Sequence, residues 1–189
     1  MSNKENLLKI ALELFAFRGY NAVGVQDIVD AAGITKPTLY YYFGNKQGLL
    51  EAVIKKHYDL LLENLSGATN YNGDFILSVN NTIKTSLLFA NQHPVFFRLY
   101  LSLTYSPADS EAFKSIESYN KSLKDMVTKL FVEAVPSHGN LRGHEGLLSM
   151  SFIGLINHYG FAIINKEIEF SEQFVHQASQ HFMHGVYSL

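Results

Sequence analysis

Residues 25–46, VQDIVDAAGITKPTLYYYFGNK, constrain the fold more than any other stretch, because they hold two short amphipathic helices and a tight turn in one run. Val25, Ile28, Val29 and Ala32 recur at i, i+3, i+4 and i+7, a single apolar stripe, and Gly33 follows where a left-handed terminal residue is wanted. Thr35 stands where it can cap the second helix and Pro37 is tolerated in its first turn. Leu39 and Phe43 form the i, i+4 pair that docks this helix on the first, and Gly44 ends it. On a 3.6-residue wheel the opposite arc carries Pro37, Thr38 and Tyr41, with Tyr40 beside it and Lys36 at the helix start. Such a pair, with a free face of hydroxyls, rings and one cation, is a helix-turn-helix suited to the DNA major groove.

The longer run from Leu7 to Val53 resembles the N-terminal DNA-binding domain of the tetracycline-repressor (TetR) family of bacterial regulators. The resemblance is carried by LFAFRGY, DIVDAAGITKPTLYYYF and NKQGLLEAV, in order and at the family spacing, with caps, turn and core residues agreeing on one fold. Gly24 departs from it, since the family often has Ser or Thr there; glycine can occupy an N-cap but brings no side-chain oxygen to helix or phosphate. The resemblance implies an all-α protein: a three-helix helix-turn-helix domain over residues 1–45, then a helical effector-binding and dimerisation domain over 46–189. It further implies a homodimeric transcription regulator, a repressor, that leaves a palindromic operator when a small molecule enters among the C-terminal helices. In that family the last two helices of each subunit form a four-helix dimer bundle.

Base-reading chemistry sorts the candidate DNA contacts. The Lys36 ammonium can donate to guanine O6 and N7 or to a phosphate, and Tyr40 and Tyr41 can meet thymine methyls or donate to phosphates. Thr38, Tyr42 and Lys46 are placed to position the backbone, Lys46 beside the free N–H groups of the fourth helix, and Thr35 and Pro37 complete the candidate DNA-binding set. Gln26 can pair with adenine or a phosphate. One such face discriminates little, so two related half-sites and a dimer are needed.

Charge agrees with this division. The chain carries a net −2, but residues 1–57 hold seven basic and five acidic side chains, and the remainder eight against twelve. Modest phosphate attraction therefore belongs to the N-terminal part. With 47% hydrophobic residues over 189 the chain can bury a sizeable core, and without cysteine it makes no disulfide or thiolate ligand. It opens MSNKENLL rather than with a basic segment and an apolar h-region, so a cytoplasmic location is the expectation.

The rest of the chain reads as helix. Ser2 and Glu5 make a capping box for a first helix that Gly19 ends; Asn45 caps a fourth helix to about Leu65; Asp74 caps one from Phe75 to Gln92; Pro94 starts the next, and Ser110 opens another to about Ala134. LLSMSFIGLINHYGFAII, Leu147 to Ile164, is apolar and long enough to invite a membrane reading, but Asn157, His158, two serines and two glycines argue against a span. A helix apolar all round can instead bury one side on its own core and the other on a second subunit. Gly154 would permit close approach there. A final helix, Ser171 to Tyr187, offers Phe174, Ala178, Phe182 and Val186 as a partner stripe.

Aromatic residues with a few neutral hydrogen-bonding groups suggest an effector site: Phe96, Phe97, Tyr100, Tyr105, Phe152, Tyr159 and Phe161 with His93, Asn157 and His158, suited to a hydrophobic or aromatic molecule. The competing reading is that these rings fill the core. His176, His181 and His184 lack the thiols and nearby carboxylates of a metal site, while His138 and His144 read as solvated loop residues, so neither metal nor cofactor is expected. No DxD, HExxH, GxSxG or phosphate loop appears, so the chain is not read as an enzyme. A helical small-molecule-binding protein without DNA-binding activity is the alternative, and it would leave the TKPTLYYYF surface unexplained.

Overall fold

The computed structural model describes residues 2–184, and these form nine α-helices and no strand. In order they are α1 (Asn3–Arg18), α2 (Val25–Ala32), α3 (Lys36–Phe43), α4 (Lys46–Ala68), α5 (Phe75–Gln92), α6 (Pro94–Thr104), α7 (Glu111–Ala134), α8 (Glu145–Ile164) and α9 (Glu172–His184), with a 3₁₀ turn at Gly139–Leu141 before α8.

Local chemistry sets most helix ends. Ser2 Oγ accepts the Glu5 N–H while the Glu5 carboxylate accepts the Ser2 N–H, the reciprocal box expected of α1. Asn45 Oδ1 accepts from the Gly48 N–H at 2.8 Å, Asp74 Oδ1 from Leu77 at 2.9 Å, and Ser110 and Ser171 cap α7 and α9 in the same way. Gly33 is left-handed at φ 64°, ψ 34°, the conformation that lets α3 start within a few residues of the end of α2. Two boundaries differ from the sequence reading. α4 runs past Leu65 to Ala68, where the Thr69 N–H and hydroxyl both donate to the Leu65 carbonyl, and α8 begins already at Glu145. Val186 and Tyr187, expected to extend the last helix, lie outside the described residues.

The helices gather into two compact units. The first takes residues up to Asp59 together with Val95–Asn120, and is therefore larger than residues 1–45. Its core is Leu7, Ala11 and Phe15 of α1, Ile28 and Val29 of α2, Leu39 of α3, Leu49, Leu50, Val53, Ile54 and Tyr58 of α4, and Phe96, Leu99 and Tyr100 of α6, all buried. Because α4 puts five large side chains into that core, the reading helices do not pack alone. Asn6 Nδ2 donates to the Ala32 carbonyl, using α1 to satisfy the end of α2. The Tyr20 ring sits edge-on to Phe15 and its hydroxyl donates to Glu111 Oε2 at 2.5 Å. Burial, then the adjacent carboxylate, push the Tyr20 pKa well above that of an ordinary phenol, which keeps it a donor.

The second unit comprises Leu60–Pro94 and the chain from Lys121 onward. Ser78, Thr82 and Ser86 line one side of α5, and their hydroxyls donate to the carbonyls of Asp74, Ser78 and Thr82, each at 2.8 Å. With their polarity satisfied inside the helix, these small side chains can be buried, and α8 and α9 pack on α5. Val79, Ile83 and Leu87 of α5, Leu130 and Phe131 of α7, Phe152 of α8 and Val175 and Ala178 of α9 fill the core. Among the described residues α8 alone is long and apolar enough to cross a membrane, yet it buries Ser149, Phe152, Ile156 and Asn157 along one side within this unit. Thr128 Oγ1 donates to Ser149 Oγ at 2.9 Å there.

Candidate nucleic-acid interface

Fully buried Leu39 fixes which side of α3 faces out. Tyr41 is 83% exposed and Tyr40 45%, with Lys36, Pro37 and Tyr42 also exposed and Thr38 half-buried. Two contacts order this surface: the Tyr41 and Tyr42 rings lie edge-on at 5.1 Å, and Thr35 Oγ1 and Thr38 Oγ1 are 3.0 Å apart. Thr35 occupies the N-cap in extended backbone, but its hydroxyl serves Thr38 instead of capping the helix. Pro37 brings no N–H and the Thr38 N–H already donates to the Thr35 carbonyl at 3.1 Å, so in the first turn of α3 it is the Lys36 backbone that can offer an N–H to an outside acceptor such as a phosphate.

Gly24 fills the N-cap of α2, and the Asp27 carboxylate compensates by accepting the Gly24 N–H at 2.7 Å; Arg18 pairs with the same carboxylate at 3.5 Å. Gln26 donates to Asp30 Oδ1 at 2.7 Å across one turn, so a base or phosphate has to compete with that bond.

Lys46 behaves differently from a simple phosphate ligand. Its ammonium donates to the carbonyls of Tyr20 and Val23, both at 3.1 Å, and lies 4.1 Å from the centroid of the Tyr20 ring. Two of its three donors are therefore spent on the turn between α1 and α2. The sequence identifies the cation but not these partners, which lie more than twenty residues upstream. Sequence reasoning also passed over Gly48. A Cβ built on it would stand 2.1 Å from the Phe43 carbonyl oxygen, so α4 can begin this close to the end of α3 only because residue 48 has no side chain. The NKQGLLEAV motif contained the signal, as an isolated glycine inside a helical pattern.

The residues expected to line an effector site divide between the two units. In the first, Phe96, Phe97 and Tyr100 are buried in the core, with His57 stacked on Phe96 at 4.8 Å and Tyr58 edge-on to Tyr100, while Tyr105 is 69% exposed. In the second, Phe152 packs on Phe131 and Phe182, Asn157 is buried and His93 lies 4.6 Å from the Phe89 ring. His158 and Phe161 are exposed, and Tyr159 bonds to His181 Nδ1 at 3.0 Å. The buried rings of this set thus fill the core of the unit to which each belongs.

The expected α9 stripe also turns inward. Ala178 is buried, Phe182 lies 4.7 Å from Phe152, and Phe174 lies edge-on to Tyr159 at 5.1 Å, so these three pack on their own chain, and the outward side of α9 is polar, with His176, Gln177 and His181. Gly154 does face out. With Leu147, Met150 and Phe161 it forms an exposed stripe on α8 at heptad-like spacing, and a Cβ at 154 would meet nothing within 4 Å.

Two cavities of the second unit are formed by described residues. An open groove of about 590 Å³ along α4 and α5 has a mixed lining, Leu88 and Phe89 beside Asn64, Asn81, Thr85 and Lys84, whose ammonium pairs with Glu172 at 2.6 Å. A smaller cavity of about 250 Å³ has Phe75, Phe131, Leu141, Leu148, Phe182 and Met183 as apolar walls, and His138, Asn140 and His144 beside them. The two loop histidines, read from sequence as solvated, are thus brought to one cavity.

Residues 7–53 match the family described as bacterial regulatory proteins, tetR family. Over 62 residues the chain is 44% identical to the HTH-type transcriptional activator FasR of Mycolicibacterium smegmatis, a stretch covering 33% of this chain and 28% of that protein. Over 133 residues it is 23% identical to IcaR of Staphylococcus aureus, the HTH-type negative transcriptional regulator of the biofilm operon icaADBC, covering 69% of this chain and 70% of that one. Among solved structures, the fatty acid degradation regulator FadR of Bacillus halodurans superposes with TM-score 0.80 at 16% identity, covering 100% of this chain and 98% of that one. FadR of Bacillus subtilis in complex with stearoyl-CoA gives 0.79 at 17%, covering 96% and 98%. AibR in complex with isovaleryl coenzyme A and operator DNA gives 0.72 at 19%, covering 96% of each chain.

Proposed function

We propose that this chain, a member of the tetR family of bacterial regulatory proteins, binds a palindromic operator in the cytoplasm as a homodimer and represses transcription until an acyl thioester releases it. The observation that carries the DNA-binding part is the outward face of α3, where Tyr40, Tyr41 and Lys36 stand exposed over a fully buried Leu39. Lys36 and the two tyrosines read bases; Thr35, Pro37, Thr38 and Tyr42 place the phosphates; Gln26 joins them by exchanging its Asp30 bond. Lys46 acts mainly by holding the α1–α2 turn, with its remaining N–H available to a phosphate. Repression follows the relative matched over more of the chain, IcaR, rather than the activator FasR.

Operator titration tests this reading. With DNA from upstream of its own coding sequence, Lys36→Ala and Tyr40→Ala should each weaken binding by about 1–3 kcal/mol and relax preference at one base pair, without lowering the melting temperature. Wild-type affinity in both variants would show that the face has been misassigned, and absence of any specific binding by the wild type would favour the DNA-independent ligand carrier.

We assign the second subunit to the α8 stripe Leu147, Met150, Gly154 and Phe161, in a dimer whose recognition helices must stand about one DNA turn, roughly 34 Å, or a multiple apart to meet two half-sites. Since a Cβ at 154 is unopposed within the chain, Gly154→Leu should leave the monomer fold intact while blocking close helix approach. Sedimentation should show dimer dissociation shifted by about tenfold or more, a change of about 1.4 kcal/mol. An unchanged dimer would move the interface elsewhere.

The acyl thioester reading is supported by the fold shared with two proteins whose structures hold acyl-CoA ligands. An apolar cavity flanked by hydrogen-bonding groups suits a hydrocarbon on a polar carrier. Release requires the ligand to bind the DNA-incompetent state more tightly, and linkage makes that antagonism reciprocal.

A further inference from the structure

We infer that the cavity walled by Phe75, Phe131, Leu148, Phe182 and Met183 receives the effector's acyl chain and restricts it to medium length, about eight to ten carbons by the volume comparison below. This rests on the acyl thioester reading above. Its size decides the chain length. An engineered apolar cavity of about 150 Å³ accepts the six carbons of benzene, and the present one measures about 250 Å³. Scaled in proportion, its whole volume would hold about ten carbons; since His138, Asn140 and His144 line part of it, that is the upper bound for the chain, well short of a stearoyl group. The floor cannot deepen cheaply: Phe131 and Phe182 lie 6.0 Å apart, and Phe182 and Phe152 4.7 Å apart, so ring sits against ring.

Chemistry decides the orientation. The walls named carry no hydrogen-bonding group and suit methylenes, whereas His138, Asn140 and His144 gather donors and acceptors on the 138–144 segment. Exposed Asn140 and His144 mark that segment as the solvent side, where a thioester carbonyl and the amides of its carrier arm find partners. The His138 ring, 5.2 Å from Phe75, bridges the two surfaces. The larger groove along α4 and α5 suits a hydrocarbon less well, since beside Leu88 and Phe89 it presents Asn64, Asn81, Thr85 and Lys84, which would lose hydration against it.

A chain-length series provides the test. Release of wild-type protein from operator DNA is measured with butyryl-, octanoyl-, dodecanoyl- and stearoyl-CoA, then repeated with Leu148→Phe, which narrows the cavity, and Met183→Ala, which lengthens it. Octanoyl-CoA should act on the wild type at about tenfold lower concentration than stearoyl-CoA, in line with the selectivity methylene-sized differences give in an apolar pocket. Leu148→Phe should move the optimum to butyryl-CoA, and Met183→Ala to dodecanoyl-CoA. Melting curves show whether each variant is folded, and if Leu148→Phe is not, Met183→Ala decides alone. If no acyl-CoA releases the wild type, the acyl thioester reading fails. If acyl-CoAs release it but stearoyl-CoA does so as well as octanoyl-CoA, or the folded variants keep the wild-type order, the cavity assignment fails while that reading stands.

Discussion

Gly48→Ala should cost about 1–3 kcal/mol of stability, the usual range for forcing an atom into a packed site, and should weaken operator binding by tenfold or more. Ordinarily glycine to alanine inside a helix is favourable by about 0.5–1 kcal/mol. At residue 48 the sign reverses, because the new methyl would lie 2.1 Å from the Phe43 carbonyl oxygen and 3.3 Å from its carbon. The obstacle is backbone, so no rotamer change relieves it. Either the last turn of α3 or the first turn of α4 must move, and the last turn of α3 adjoins Tyr40 and Tyr41. Gly67→Ala in the same helix is the control, since its Cβ meets nothing within 4 Å; it should be neutral or slightly stabilising. Thermal melting and operator titration of the two variants check the pair. Equal behaviour of both would refute the close approach of α3 and α4.

The second large effect is expected at Phe152, whose side chain is fully buried between Phe131 at 5.8 Å and Phe182 at 4.7 Å. Phe152→Ala removes a ring from an aromatic cluster and leaves a void that its partners cannot fill by rotation, at a cost of about 3–5 kcal/mol. Against a total of about 5–15 kcal/mol that is a large share. Tyr105→Ala, at a side chain 69% exposed, should stay within about 0.5 kcal/mol. Both residues read from sequence as effector candidates, and urea denaturation separates them: a loss below about 1 kcal/mol at Phe152 would contradict its role in the core.

Legibility in the sequence follows the range of the interaction. Ser2 with Glu5, Asn45 with Gly48, Asp74 with Leu77 and the left-handed Gly33 act within a few residues, and the caps and the turn they make are legible in the order of residue types alone. The outward side of α3 is legible too, because Leu39 leaves only one face free. Direction across the chain is not. The Lys46 ammonium points to carbonyls of the α1–α2 turn, Tyr20 finds Glu111 across 91 residues, and Phe182 lies against Phe152 of its own chain. A periodic stripe states that a face is apolar, not what covers it. α9 packs on the chain's own α5, with Phe174 and Phe182 against Tyr159 and Phe152 of α8, and the exposed α8 stripe holds Gly154.

Pairing through that bare stripe would give the folded state a dependence on its own concentration. If two chains pair through Leu147, Met150 and Phe161, association draws the folding equilibrium forward by mass action, and the midpoint of unfolding rises as the protein is concentrated. Stability is then shared between chains, and a substitution far from the stripe can still loosen the pair by depleting folded monomer. On that pairing, stability differences between variants acquire meaning only at equal protein concentration, and a regulator kept at few copies per cell would be held together in part by an operator that brings two subunits side by side.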